Sequence, residues 1–137
     1  MSARRKTVLV AGALGALLII GIVIIASMNR HSGGVSSVNV EVPELSAAAQ
    51  WGYRAFEANC AQCHGTHASG SDKGPPLVHR IYEPSHHGDV AIRRAVRLGV
   101  RPHHWRFGSM PRVDISDREL NAIIAYIREL QRANGIY

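Results

Sequence analysis

Aromatic side chains are scarce in this 137-residue chain, with two Trp, four Tyr and two Phe making 6% of it. A domain so poor in rings has little of its own with which to fill a large interior. Cysteine is nearly absent, at two residues, which excludes a disulfide-dense secreted scaffold. Methionine is limited to Met1, Met28 and Met110. No internal repeat is visible, and no strand–helix–strand alternation is present. The net charge of +6 is local in origin. Removing Arg4, Arg5, Lys6 and Arg30 from the 16 basic residues leaves 12 against 10 acidic ones. That balance is too even for a nucleic-acid footprint, so no nucleic-acid partner is expected.

Charge is missing altogether from Thr7 to Asn29, and "VLVAGALGALLIIGIVIIA" is apolar nearly throughout. As a helix these 23 residues would span about 34 Å, enough for a hydrocarbon core of about 30 Å. A cleaved signal peptide is the alternative. Its apolar region runs to only about 7–15 residues and ends in an A-x-A-like site, whereas this run is longer and "ASMNRHS" fits such a site poorly. The reading is a retained single-pass anchor in contact with membrane lipid. "ARRK" before the span, against one Arg after it, places the N-terminus in the cytoplasm. The chain then divides into a basic cytoplasmic tail (1–6), a transmembrane anchor (7–29), a flexible Gly/Ser/Val-rich linker (30–44) and a domain outside the cytoplasm (45–137).

Within that domain the periodicity is helical. Ser46 is a candidate N-cap for a helix reaching the cysteines, with Ala48, Trp51, Gly52, Ala55 and Phe56 on one face. Gly52 on that face predicts close approach of another helix. A short helix is expected over Asp89 to Leu98, with Ile92, Ala95 and Val96 inward and Gly99 ending it. "SDRE", Ser116 to Glu119, is a capping box followed by Leu120, Ile123, Ile124, Ile127 and Leu130 at helical spacing, and Gly135 is the stop. Nothing requires a sheet, so the fold class is all-α. Two long aperiodic segments, His64 to Gly88 and Arg101 to Asp114, do not fit so small a domain unless something non-protein supplies the interior.

Cys60, Cys63 and His64 stand at i, i+3 and i+4, so a continuous helix would project all three from one face. Two thiols can then bond to one edge of a flat macrocycle while the imidazole reaches its metal, and C-x-x-C-H is the attachment signature for c-type haem. The alternatives are a redox dithiol, which lacks its βαβ context, a zinc site completed by His67, His79 or His86, and a plain disulfide. Seven of the eight histidines lie between His64 and His104. Of these, His67, His79, His86 and His87 form an irregularly spaced group that would suit copper.

"AFEANCAQCHG", "GPPL", "GSMP" and "LNAIIAYIREL" together resemble the class I c-type cytochromes, from about Leu45 to Asn134. The resemblance implies a small helical domain around one haem c, attached by thioethers to Cys60 and Cys63, with His64 as proximal ligand. It implies that Gly52 and Phe56 cross the last helix near Tyr126, and that the Pro75 carbonyl accepts the other ring N–H of His64. Met110 is the one methionine of the domain, between Gly108 and Pro111, and is the candidate distal ligand. His103 and His104 are its rivals, or else solvent-facing loop residues. Trp105 and Arg106 stand between contacts to the haem edge and propionates and a surface role.

The function expected is one-electron transfer in a respiratory chain by a membrane-tethered, His/Met-ligated monohaem cytochrome c, with no catalytic residues. It would sit on the periplasmic side of a bacterial inner membrane. Its donor would be a protein such as a quinol-oxidising complex, and its acceptor a terminal oxidase or reductase. The alternatives are a haem enzyme or gas/peroxide sensor with an open or labile distal site, and a fixed cytochrome subunit of a larger oxidase or dehydrogenase.

Overall fold

A computed structural model describes residues 19–21 and 37–137. The predicted anchor, 7–29, lies almost wholly outside the described residues. Among those described, no helix is long and apolar enough to cross a membrane.

Four α-helices make up the domain: α1 (Ala47–Asn59), α2 (Ala61–His64), α3 (Asp89–Leu98) and α4 (Asp117–Ala133), with single 3-10 turns at Thr66–Ala68 and Arg80–Tyr82. Strands are absent among the described residues, apart from one bridge between Val100 and Met110. The all-α expectation therefore holds.

The outer helices frame the domain because their ends are capped and their apolar faces are continuous. At the start of α1 the Ser46 hydroxyl accepts from the Ala49 N–H, and donates to Glu129 on α4 at 2.6 Å. Ser116 and Glu119 form the reciprocal capping box at the start of α4. The helices cross at Gly52, where a Cβ would stand 1.9 Å from the Ala122 carbonyl oxygen and 3.0 Å from Tyr126 Cβ. Phe56 and Tyr126 meet there with ring centroids 5.6 Å apart, both fully buried. This crossing is the one the resemblance implied.

The inward face of α1 is rotated from the one expected. Ala49 is buried and Ala48 is exposed, so the buried set is Ala49, Gly52, Ala55 and Phe56. Trp51 lies at the edge, under the Arg118 guanidinium at 4.8 Å from its ring centre. Cation–π contact lets a large ring stop half-buried rather than enter the core.

A second difference concerns continuity. The first helix does not run unbroken through the cysteines. It ends at Asn59, Cys60 takes φ −124° and ψ −33°, and a new turn begins at Ala61. Asn59 returns its side-chain amide to the Ala55 carbonyl at 2.8 Å, a local bond that competes with the helical ladder.

The linker also differs from a free tether. Residues 37–44 form no regular element but are held against the domain. Val38 N–H donates to the Ser69 carbonyl at 2.8 Å, and Glu41 and Asn134 exchange two bonds at 2.9 and 2.8 Å. Val40 packs against the core.

Candidate functional site

The aperiodic segments wrap around a cleft rather than a core. Its apolar lining comes from Phe56 of α1, Ile92, Ala95 and Val96 of α3, Ile123 and Ile127 of α4, and Pro75, Leu77 and Phe107 of the loops. Including its open mouth, the space amounts to about 990 Å³. Apolar surface on this scale is unfavourable if left to water. The sparse aromatics are thus matched by a space that the chain does not fill itself.

Cys60, His64, Pro75 and Met110 all line this cleft. Cys63 does not, and lies half-buried on α2 directly before His64. Burial, and then the neighbouring Cys63 thiol, pushes the free Cys60 thiol up to about 11. His64 Nδ1 donates to the Pro75 carbonyl at 2.9 Å, which fixes the tautomer and leaves Nε2 as the free ring nitrogen. Burial lowers the His64 imidazole below its ordinary value, opposed by that bond to Pro75. A neutral imidazole with one nitrogen anchored is the form that ligates a metal.

Met110 enters from the opposite loop, on a clamped backbone. Val100 N–H donates to the Met110 carbonyl and Met110 N–H to the Val100 carbonyl, both at 3.0 Å. Gly99 ends α3 with φ +76° and lies directly under this pair, since a Cβ there would stand 2.5 Å from the Met110 carbonyl oxygen. Only glycine suits both the conformation and the space.

These features test whether the residues present fit haem. Sulfur and imidazole donors meet an apolar cleft of sufficient size. In addition, Trp105 Nε1 is buried with no hydrogen-bond partner. The Tyr82 hydroxyl is its neighbour. Trp105 lines the cleft, and a carboxylate on an occupant such as haem would suit such an N–H. Arg106 is exposed.

Two interior residues escaped the sequence reading. Arg128 and Gln131, both buried on α4, hold the loop that roofs the cleft. Arg128 donates to Asp89 Oδ1 at 2.9 Å, to the Tyr82 carbonyl at 2.9 Å and to the His87 carbonyl at 2.5 Å. Gln131 Nε2 donates to the carbonyls of Leu77 and Tyr82 at 2.9 and 3.0 Å. The available signal was position, since they stand four residues after Ile124 and Ile127, on the apolar face.

The group His67, His79, His86 and His87 is not brought together. His67 bonds Tyr126 Oη through Nδ1 at 3.1 Å and stacks on Tyr53. His79 accepts from the Ile81 N–H and meets Trp105 edge-on. Neither joins His86 and His87, which are instead met by His104, with His103 beside it. Crowding among these rings holds His104 below its ordinary value, through partial desolvation first and then repulsion from His103, His87 and His86.

No curated protein and no solved structure matches the chain. A family model described as Cytochrome c matches residues 49–131, from within α1 to within α4, enclosing both cysteines, His64, Pro75 and Met110. With more than half its length so matched, and a cleft that fits the group, the chain belongs to the cytochrome c family, carrying covalent haem c on Cys60 and Cys63 for electron transfer.

Proposed function

We propose that this protein is a membrane-tethered one-electron carrier of a respiratory chain, with His64 and Met110 as the two axial ligands of its haem iron. The observation that carries the reading is that His64 and Met110 line one apolar cleft, each held in place: the His64 ring through the Pro75 carbonyl, the Met110 backbone through Val100. Haem c supplies a reversible one-electron couple, tuned by its axial ligands and surroundings. The chain's own residues do the rest. His64 offers Nε2 while Pro75 holds Nδ1. Phe56, Ile123 and Ile127 keep water from the cleft. Trp105 offers an N–H to a carboxylate, and Met110 offers a soft sulfur that favours the reduced metal. With His64 and Met110 both holding the iron, no position on it would be left for a substrate, and no catalytic residue is assigned.

His103 and His104 are weaker candidates for the distal position. Both are exposed whereas Met110 is half-buried, and His104 Nε2 lies 3.3 Å from His86 Nε2. The tether rests on the uncharged run from Thr7 to Asn29 and the basic residues before it. It would keep the haem domain outside the bacterial plasma membrane at raised effective concentration near membrane-bound partners, a quinol-oxidising donor and a terminal oxidase or reductase as acceptor.

The oxidised protein is expected to show the weak charge-transfer band of a sulfur–ferric iron bond. Met110→Ala should remove it, lower the reduction potential and admit carbon monoxide, while His103→Ala and His104→Ala leave the band in place. A wild-type protein that lacks the band and binds carbon monoxide would instead have an open iron site, and the carrier reading would fail.

A further inference from the structure

We propose that His86, His87 and His104 form a zinc-binding site at the mouth of the cleft, separate from the haem iron and its ligands. One nitrogen from each of the three lies within 4.8 Å of the others. His86 and His104 are exposed and His87 half-buried, so an ion can reach them from solvent. Zinc is bound by imidazole nitrogens about 2.0–2.1 Å away in a tetrahedron, which sets neighbouring nitrogens about 3.3 Å apart. His86 Nε2 and His104 Nε2 are 3.3 Å apart. The cis edge of a square-planar copper(II) site would be shorter, roughly 2.8–2.9 Å. That one pair is spaced as tetrahedral zinc requires.

Orientation supports the same reading. His87 Nδ1 donates to the Ile81 carbonyl at 2.6 Å, leaving Nε2 unprotonated and free, the arrangement found in metal-ligating histidines. The backbone of His87 is held in turn, because its carbonyl accepts from the buried Arg128 guanidinium at 2.5 Å. His86 and His87 both donate their backbone N–H to the Glu83 carbonyl, at 3.1 and 2.8 Å, so the turn presents two adjacent imidazoles. The third comes from a different loop, 101–107, whose end is pinned by the Val100–Met110 pair. An ion here would fasten the two loops that flank the cleft. Three nitrogen ligands leave a fourth position for water.

The test uses the full-length, haem-loaded protein freed of metal and titrated with Zn²⁺ alone by calorimetry. One equivalent should bind. His86→Gln and His104→Gln should each weaken binding by at least the ~10–100-fold that loss of a single outer hydrogen bond to a ligand costs. His67→Gln should bind like the wild type. Zinc-edge X-ray absorption of the wild-type protein should show three imidazole nitrogens at about 2.0–2.1 Å, and this readout does not depend on how any variant folds. Absence of stoichiometric binding, unchanged affinity in His86→Gln and His104→Gln, loss of affinity in His67→Gln, or fewer than three imidazoles at the edge would each overturn the site. Failure of the axial-ligand reading would appear separately, in the iron spectrum.

Discussion

Arg128 carries its charge into the domain with only 7% of its surface exposed, and no haem chemistry explains it. Its guanidinium replaces lost water with fixed acceptors, among them the carbonyls of Tyr82 and His87 and the carboxylate of Asp89. Removing it takes a donor from the His87 carbonyl, while the Tyr82 carbonyl keeps Gln131 and Asp89 can turn to water. Arg128→Met is expected to lower domain stability by about 2 kcal/mol, a fall of roughly 8–16 °C in Tm. Arg128→Lys should recover only part of it, since an ammonium cannot reproduce the fork. Thermal unfolding of the haem-loaded protein measures both. Equal stability of all three forms would show the network to be incidental.

The helices were legible where their signals are local, and illegible where a distant segment decides. Ser116 and Glu119 announce the start of α4, and the box forms with Glu119 Oε2 accepting from Ser116 N and Oγ at 2.9 and 2.6 Å. Gly52 announces a close crossing, and the Ala122 carbonyl supplies it. The C-x-x-C-H run named the cofactor because covalent attachment needs those atoms in that order. The rotation of α1 toward Ala49 was not legible, because Trp51 was drawn to the edge by Arg118, a residue on another helix. Nor was the meeting of His86, His87 and His104, which depends on how two aperiodic loops fold over one cleft.

Two element-scale outcomes follow from that geometry. Gly52→Ala would gain helix propensity, ~1 kcal/mol at most, but its Cβ would overlap the Ala122 backbone, which cannot swing aside. Overpacking of this kind costs ~1–3 kcal/mol, so the net change should be destabilising in denaturant titration. Ser116→Ala removes the cap of α4 at a cost of ~1 kcal/mol. The hydrogen bonds from Ser116 hold the Glu119 carboxyl below its ordinary value. A lowered folded value means that this contribution is present above the ordinary carboxylate value and is lost as pH falls through the lowered one. The stability gap between Glu119→Gln and the wild type should therefore narrow on acidification. A gap independent of pH would mean that the carboxylate charge has no part in the cap.

At the scale of the whole molecule, the domain closes around something it does not encode as side chains. Phe56, Ile92, Ile123 and Ile127 face a cleft, and the loops from Gly65 onward have few apolar partners other than its occupant. The Cys60→Ser/Cys63→Ser double variant should therefore lose the fold together with the haem, seen as loss of helical circular dichroism. A cysteine-free chain with native helicity would show that α1 and α4 suffice alone.

The remaining prediction concerns the stretch between the uncharged run 7–29 and this domain. Residues 37–44 read as part of a flexible linker, yet Val38 is bonded to Ser69 and Glu41 to Asn134. Proteases need an extended stretch of backbone released from such partners. If the segment 7–29 is a membrane anchor, protease added to the outer face of intact spheroplasts should release a haem-bearing domain whose new N-terminus lies before Val38. The segment from 38 to 44 should survive on the domain, and the apolar run should remain with the membrane fraction. N-terminal sequencing of the released, coloured fragment distinguishes the outcomes. A start beyond Glu44 would mean that the docked segment detaches readily. A soluble form beginning near Asn29 or His31 without added protease would identify the apolar run as a cleaved signal. The carrier would then move freely, and the advantage of raised local concentration would vanish with its tether.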